Sequence, residues 1–167
     1  CLIKMSRLEV GAVQLSPVET NIKQTISDSI AGVVATASKK NIDIVVSEFR
    51  DCLLYHDKKW TREAITNVLE NAVKYSPSDS KIDIAVEQMV LYTKIIISDY
   101  GVGIEKKDWN LIFKRFYRGN NVKDNEGSGL GLYLATLIME KQGGYIMIDS
   151  IPGKYTSFSL FLQNCKK

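Results

Sequence analysis

Residues 67–77 read NVLENAVKYSP, and their polar members are the types that hold a phosphate-bearing ligand and its cation. On a helix, positions three and four apart share a face, so Asn67, Asn71, Lys74 and Tyr75 form one stripe, while Ile65, Val68, Leu69 and Ala72 fall opposite and can bury. An Asn amide oxygen ligates a hard cation, a Lys ammonium meets phosphate as a point charge, and a Tyr ring offers an apolar face. Taken alone, the stripe fits a wet helix surface as well as a magnesium-nucleotide site. The glycine-containing stretches downstream decide between the two.

The first of these is DYGVGI, residues 99–104, where Gly101 and Gly103 let the backbone turn tightly and come close to a ligand. Asp99 beside such a loop can accept from an exocyclic amine such as that of adenine. Residues 113–119 (FKRFYRG) interleave aromatic and basic side chains that can cover a phosphate-bearing ligand. Residues 119–127 (GNNVKDNEG) are polar and glycine-flanked, which predicts a mobile lid. Residues 127–132 (GSGLGL) then run into helical pattern, where free N–H groups and the positive end of the helix dipole favour an anion. The GxxxxGK[ST] pattern is absent and no strand precedes the turn, so phosphate binding is expected without a Walker or dinucleotide-binding fold.

These groups need a frame. The spacing predicts helices over 2–15 and 18–40, a strand through Ile42, Ile44 and Val46, a short strand near 52–55, and the stripe-bearing helix ending at Ser76-Pro77. Alternation over 81–88 and 92–98 predicts an antiparallel hairpin that delivers Asp99 at its end. A short helix over 108–113, a helix over 130–142 capped by Gly143-Gly144, and strands over 145–150 and 156–162 complete the pattern. His56, the sole histidine, lies at a strand-to-helix junction, with Asp57 next to it, and is read as structural.

The chain has 167 residues, 45% hydrophobic and 25% charged, enough for one good core and perhaps an appendage. The net charge of +3 is too mild, and the basic residues too dispersed, for a nucleic-acid partner. Cys1, Cys52 and Cys165 are odd in number and widely spaced, so neither a disulfide framework nor a zinc site is expected, and a reducing intracellular setting is. The opening at Cys1 within helical pattern is expected of a piece of something longer.

In their order and spacing, NVLENAVKYSP, DYGVGI, FKRFYRG and GSGLGL resemble the N, G1, F and G2 boxes of the catalytic and ATP-binding domain of two-component sensor histidine kinases. The resemblance runs from about residue 18 to the end. It implies an α/β two-layer sandwich of the Bergerat type, a mixed, mostly antiparallel sheet backed by helices, with ATP and Mg2+ as ligands. Position by position, Asn71 matches the Mg-ligating Asn, Lys74 a phosphate contact and Tyr75 an adenine-pocket residue, with Asn67 facing the phosphates. Asp99 matches the reader of the adenine amine, with Gly101, Gly103 and Ile104 shaping that pocket. Tyr117 and Arg118 match the lid base, the Arg meeting the transferring phosphate. Gly127, Ser128, Gly129, Leu130, Gly131 and Leu132 match the phosphate cradle, and Thr156 a hydroxyl at the adenine end. Asn71, Lys74 and Arg118 thereby carry the catalytic roles.

Residues 1–16, with SRLE, resemble the end of the second helix of the family's dimerisation hairpin plus a linker, and 17–167 the catalytic domain. The first hairpin helix, with its phosphoacceptor His, is absent. The implied reaction is transfer of the ATP γ-phosphate to a His on the hairpin of a homodimeric parent, then to a response regulator Asp. The implied setting is the cytoplasmic side of a membrane-anchored parent. Tyr155 departs from the family's usual Gly and puts strand packing there in doubt. The alternatives are ATP hydrolases of the gyrase and Hsp90 type, anti-sigma serine kinases, and a non-catalytic interaction module. The hydrolases carry a general-base Glu one turn before the Mg-binding Asn, and here that residue is Asn67.

Overall fold

The computed structural model describes residues 2–117 and 129–164. Elements follow in the order α1 (Leu2–Glu9), β1 (Val18–Asn21), α2 (Ile22–Ala31), α3 (Val34–Lys39), β2 (Asp43–Val46), β3 (Leu53–His56), α4 (Lys58–Tyr75), β4 (Lys81–Gln88), β5 (Tyr92–Asp99), a 3-10 turn (Lys106–Asp108), α5 (Gly131–Lys141), β6 (Tyr145–Ile151) and β7 (Tyr155–Gln163). The main sheet has the order β2-β4-β5-β7-β6, and β1 pairs with β3 in a separate ribbon. Only β2 with β4 is parallel among these ladders; β4-β5, β5-β7 and β6-β7 are antiparallel.

The alternation expected over 81–88 and 92–98 is what buries one sheet face. Ile82, Ile84, Ile95, Ile97, Phe158 and Leu160 point inward, against Ala64, Ile65, Val68, Leu69 and Ala72 of α4 and Leu134, Ala135 and Ile138 of α5. This is the two-layer, mixed α/β arrangement that the sequence implies.

Helix α4 is fixed at both ends. At its start the Asp57 carboxylate accepts from Trp60 N at 3.0 Å, an N-cap that satisfies one of the orphan donors of the first turn. The same carboxylate accepts from Ser16 N at 2.7 Å, and Asp57 N donates to Gln142 Oε1 at 2.6 Å. At its end, where Pro77 forbids a further turn, Lys40 Nζ donates to the carbonyls of Val73, Lys74 and Ser76 at 2.8, 3.3 and 2.5 Å.

Three expected helices take other forms. The 2–15 helix stops at Glu9, because Gly11 enters the left-handed region at φ 72° and turns the chain towards β1. The 18–40 stretch begins as a strand paired with β3 and is split at Gly32 into α2 and α3, for which the apolar stripe alone gave no sign. The 108–113 helix is a 3-10 turn followed by irregular turns that end at Phe116, with φ 63°. His56 is fully buried, bonded through its ring nitrogens to Thr25 Oγ1 at 2.8 Å and Leu54 O at 3.0 Å, and burial lowers its pKa. It is a core side chain, as expected.

Candidate functional site

Burial along α4 sorts as the stripe predicts: Ala64, Ile65, Val68, Leu69, Ala72 and Val73 are buried, while Asn67, Asn71, Lys74 and Tyr75 are half-exposed. Lys74 Nζ lies 5.3 Å from the Tyr75 ring centroid, a cation-π pair that holds the two side chains together. Asn67 is the telling member. Among the described residues its amide nitrogen is buried without a hydrogen-bond partner, the arrangement expected where a ligand supplies an acceptor. It faces Gly131, where an added Cβ would come within 3.9 Å of Asn67 Cβ, so the first turn of α5 lies directly across from this amide.

The second wall of the cleft begins at Asp99, the last residue of β5 and only 3% exposed. Burial pushes its carboxyl up to about 6, although Gly101 N donates to it at 3.0 Å. Gly101 packs so closely on the Tyr75 carbonyl that no Cβ fits, which joins the end of α4 to the turn after β5. Gly103 needs both its φ of 73° and its missing Cβ, which would otherwise sit 2.5 Å from Ile151 O. The turn is latched to the β6-β7 hairpin by Gly153 N donating to Val102 O at 2.7 Å and Ile104 N donating to Ser150 Oγ at 2.8 Å. Thr156 pairs with Asp99 across β5-β7 and is likewise buried.

On the far side, Phe116 N donates to Gly129 O at 3.1 Å, and Gly129, at φ 71°, lies against the backbone of Phe116 and Tyr117. Tyr117 is half-exposed, its hydroxyl pKa raised by burial and then by neighbouring Asp108. Leu130 is buried and Leu132 packs against the core, so both anchor the start of α5. Arg118, Gly127 and Ser128 lie outside the described residues, as does the expected lid over 119–127. Among the rest, Asn67 is brought to Gly131, Tyr75 to Gly101, and Asp99 to Gly101 and Thr156. Sequence reasoning missed Ser150 and Lys40, which touch the walls from behind; neither sits in a glycine-rich motif that would have drawn notice.

Residues 56–165 match the family described as histidine kinase-, DNA gyrase B- and HSP90-like ATPase, and the chain belongs to it. It is an ATP-binding catalytic domain of the sensor histidine kinase type. It is 29% identical over 166 residues to the histidine-protein kinase/phosphatase MprB of Mycobacterium avium, covering 96% of this chain and 31% of that protein. It is 38% identical over 97 residues to the histidine-protein kinase ArlS of Staphylococcus haemolyticus, 57% of this chain and 21% of that one. Among solved structures, a mycobacterial sensor histidine kinase MprB superposes with a TM-score of 0.78 at 25% identity, covering 91% of this chain and all of that one. The chain thus spans about a third of the length of the curated MprB it matches.

Proposed function

We propose that the domain transfers the γ-phosphate of ATP to a histidine on the dimerisation hairpin of its parent protein, with α1 as the end of that hairpin's second helix and residues 17–167 as the catalytic unit. The observation that carries the reading is the Asn67 amide opposite Gly131, buried and unpartnered among the described residues, a donor suited to an anionic acceptor at a helix start. Adenine goes against Asp99 and Thr156, with Gly101, Gly103 and Ile104 shaping its pocket and Tyr75 closing it. Lys74 and Asn67 face the phosphates, and Leu130, Gly131 and Leu132 begin the cradle with Gly129. Tyr117, Arg118, Gly127 and Ser128 take the lid-base and phosphate-side places that the family resemblance gives them.

The Asn71 side-chain oxygen suits a hard cation; Mg2+ held there would neutralise phosphate charge. In the transfer itself the bond from the γ-phosphorus to the β,γ-bridging oxygen breaks as the unprotonated nitrogen of a neutral imidazole bonds to phosphorus, ADP leaving and the proton on the other ring nitrogen passing to solvent. The chain's own contribution is positioning and electrostatic stabilisation, because phosphoryl transfer asks little else of a protein. Passage onward to a response regulator aspartate, a homodimeric parent and its anchoring in a membrane belong to the same reading. Among the described residues no helix is long and apolar enough to cross a membrane. Water activation as in the gyrase type is disfavoured, since one turn before Asn71 stands Asn67, which has no basic oxygen to take a proton.

The test is a calorimetric titration with a non-hydrolysable ATP analogue, with and without magnesium, followed by phosphotransfer assays in the parent protein. Saturable, magnesium-dependent binding and loss of transfer in Asn71→Ala are expected. An Asn71→Ala protein that transfers phosphate at the natural rate would refute the assignment.

A further inference from the structure

At one end of the sheet the inner face turns from apolar to polar along a single row. Asp99 of β5, Thr156 of β7 and Ser150 of β6 are successive cross-strand partners, 3%, 4% and 7% exposed. Partners across antiparallel strands share a face, so the three side chains stand side by side.

Ser150 makes three hydrogen bonds through one oxygen. Ile104 N, which can only donate, lies 2.8 Å away; Tyr155 O, which can only accept, lies 2.7 Å away; Thr156 Oγ1 lies 3.0 Å away. A hydroxyl has one hydrogen and two lone pairs. The Ser150 hydrogen therefore goes to Tyr155 O, one lone pair takes Ile104 N–H, and the other takes the Thr156 hydroxyl hydrogen. Thr156 is left with lone pairs alone. Next to it stands the Asp99 carboxylate, also an acceptor when ionised. Among the described residues, this row offers acceptors and no hydroxyl donor.

We propose that Ser150 is a positioning residue that, by taking the Thr156 proton, makes the purine end of the cleft select a 6-amino purine and reject a 6-oxo purine. The inference rests on the placement of adenine at Asp99. Adenine carries an amine at C6, which two acceptors satisfy. Guanine carries a carbonyl oxygen there, which would face lone pairs with no donor, and a site built for a donor discriminates strongly against a ligand lacking it.

Ser150→Ala frees the Thr156 hydroxyl to rotate and donate into the pocket. It also loosens the turn at Ile104, but loosening weakens both purines alike, so the ratio of affinities reports on the proton and not on general damage. Calorimetric titration with non-hydrolysable ATP and GTP analogues is expected to show a strong preference for ATP in the natural protein. In Ser150→Ala that preference falls by about tenfold or more, with GTP binding gaining in absolute terms. Thr156→Val, which keeps shape and removes the oxygen, lowers ATP affinity and leaves GTP affinity unchanged; it decides the matter should Ser150→Ala not fold. An unchanged ATP-to-GTP ratio in a folded Ser150→Ala, or in Thr156→Val when that variant decides, overturns the proposal. A natural protein that binds both analogues equally overturns it too while leaving nucleotide binding intact, and one that binds neither removes the nucleotide reading itself.

Discussion

Glu9 and Arg115 are joined side chain to side chain, both carboxylate oxygens accepting from one guanidinium nitrogen, and the same carboxylate accepts from the Tyr133 hydroxyl at 2.6 Å. The Tyr133 bond lowers the Glu9 pKa most, burial opposes it, and Arg115 lowers it further, for a net downward shift. Arg115 in turn lies over the rings of Phe116 and Tyr133 at 5.9 and 5.4 Å. The last residue of α1 thus reaches both the run leading to Tyr117 and the first turns of α5.

What anchors α1, however, is apolar. Met5 and Leu8 are 1% and 0% exposed, whereas the Glu9 and Arg115 side chains keep 27% and 41% of their surface. Leu8→Ala is expected to cost about 2–5 kcal/mol, as for a buried leucine with partial collapse of the void. Glu9→Gln is expected to cost clearly less, because exposed ion pairs contribute little. Denaturant unfolding of both variants checks the order; equal losses would mean that the polar clasp, not the apolar contact, holds the helix.

Asp99 couples function to stability with opposite signs. Its folded-state pKa, pushed up to about 6 by burial, means that the folded protein binds this proton more tightly than the unfolded chain. The stabilisation this gives is fully present below the unfolded value near 3.9 and is lost as pH rises through about 6. Asp99→Asn removes the titration while still accepting from Gly101 N. The ligand-free variant should therefore gain stability over the natural protein as pH rises, by an amount on the order of 3 kcal/mol above pH 6. Nucleotide affinity should move the other way: weaker in Asp99→Asn, and weaker in the natural protein as pH falls below about 6, where the carboxyl becomes a poorer acceptor for an amine. Melting curves and titrations across that range test both; a flat stability difference would contradict the buried, uncompensated carboxylate.

Lys40 is a second place where a residue outside every motif matters. Its ammonium meets three carbonyls at the end of α4, the turn that carries Lys74 and Tyr75. Lys40→Met keeps the stem and removes the donors, leaving those carbonyls without this partner, and should cost about 1–3 kcal/mol and weaken nucleotide binding. Unfolding and titration of that one variant measure both effects.

Gly101→Ala should be more damaging than its size suggests. The added methyl falls on the Tyr75 carbonyl, which is backbone and cannot step aside without moving the end of α4. A loss of about 1–3 kcal/mol in stability is expected, as for other overpacked sites. Nucleotide affinity should fall further, and a variant that melts and binds as the natural protein does would show that the turn gives way easily.

The sequence disclosed the strands by strict alternation and the polar stripe of α4 by helical spacing, because both patterns are direct records of a buried face. It disclosed the glycine turns at 101 and 103 because only glycine accepts those contacts. It misread residues 18–40, since β1 is a short ribbon strand with little buried surface and leaves no alternation to find. It also passed over Ser150 and Lys40. A serine that orients another hydroxyl, or a lysine that caps a helix end, leaves no periodic trace; such roles exist only once distant segments meet.

The parallel pairing of β2 with β4 carries a consequence for assembly. Asp43 meets Lys81 only after β3 and the whole of α4 have been laid between them. Long-range parallel ladders form slowly, since chain closure must precede the contacts that reward it, whereas the β4-β5 and β6-β7 hairpins and α4 are local. The edge strand should then be the last piece to join, and substitutions at Ile44 should speed unfolding with little effect on the folding rate, while those at Leu69 should slow folding. The helix that bears Asn71 would exist, in order and in register, before the sheet behind it is complete.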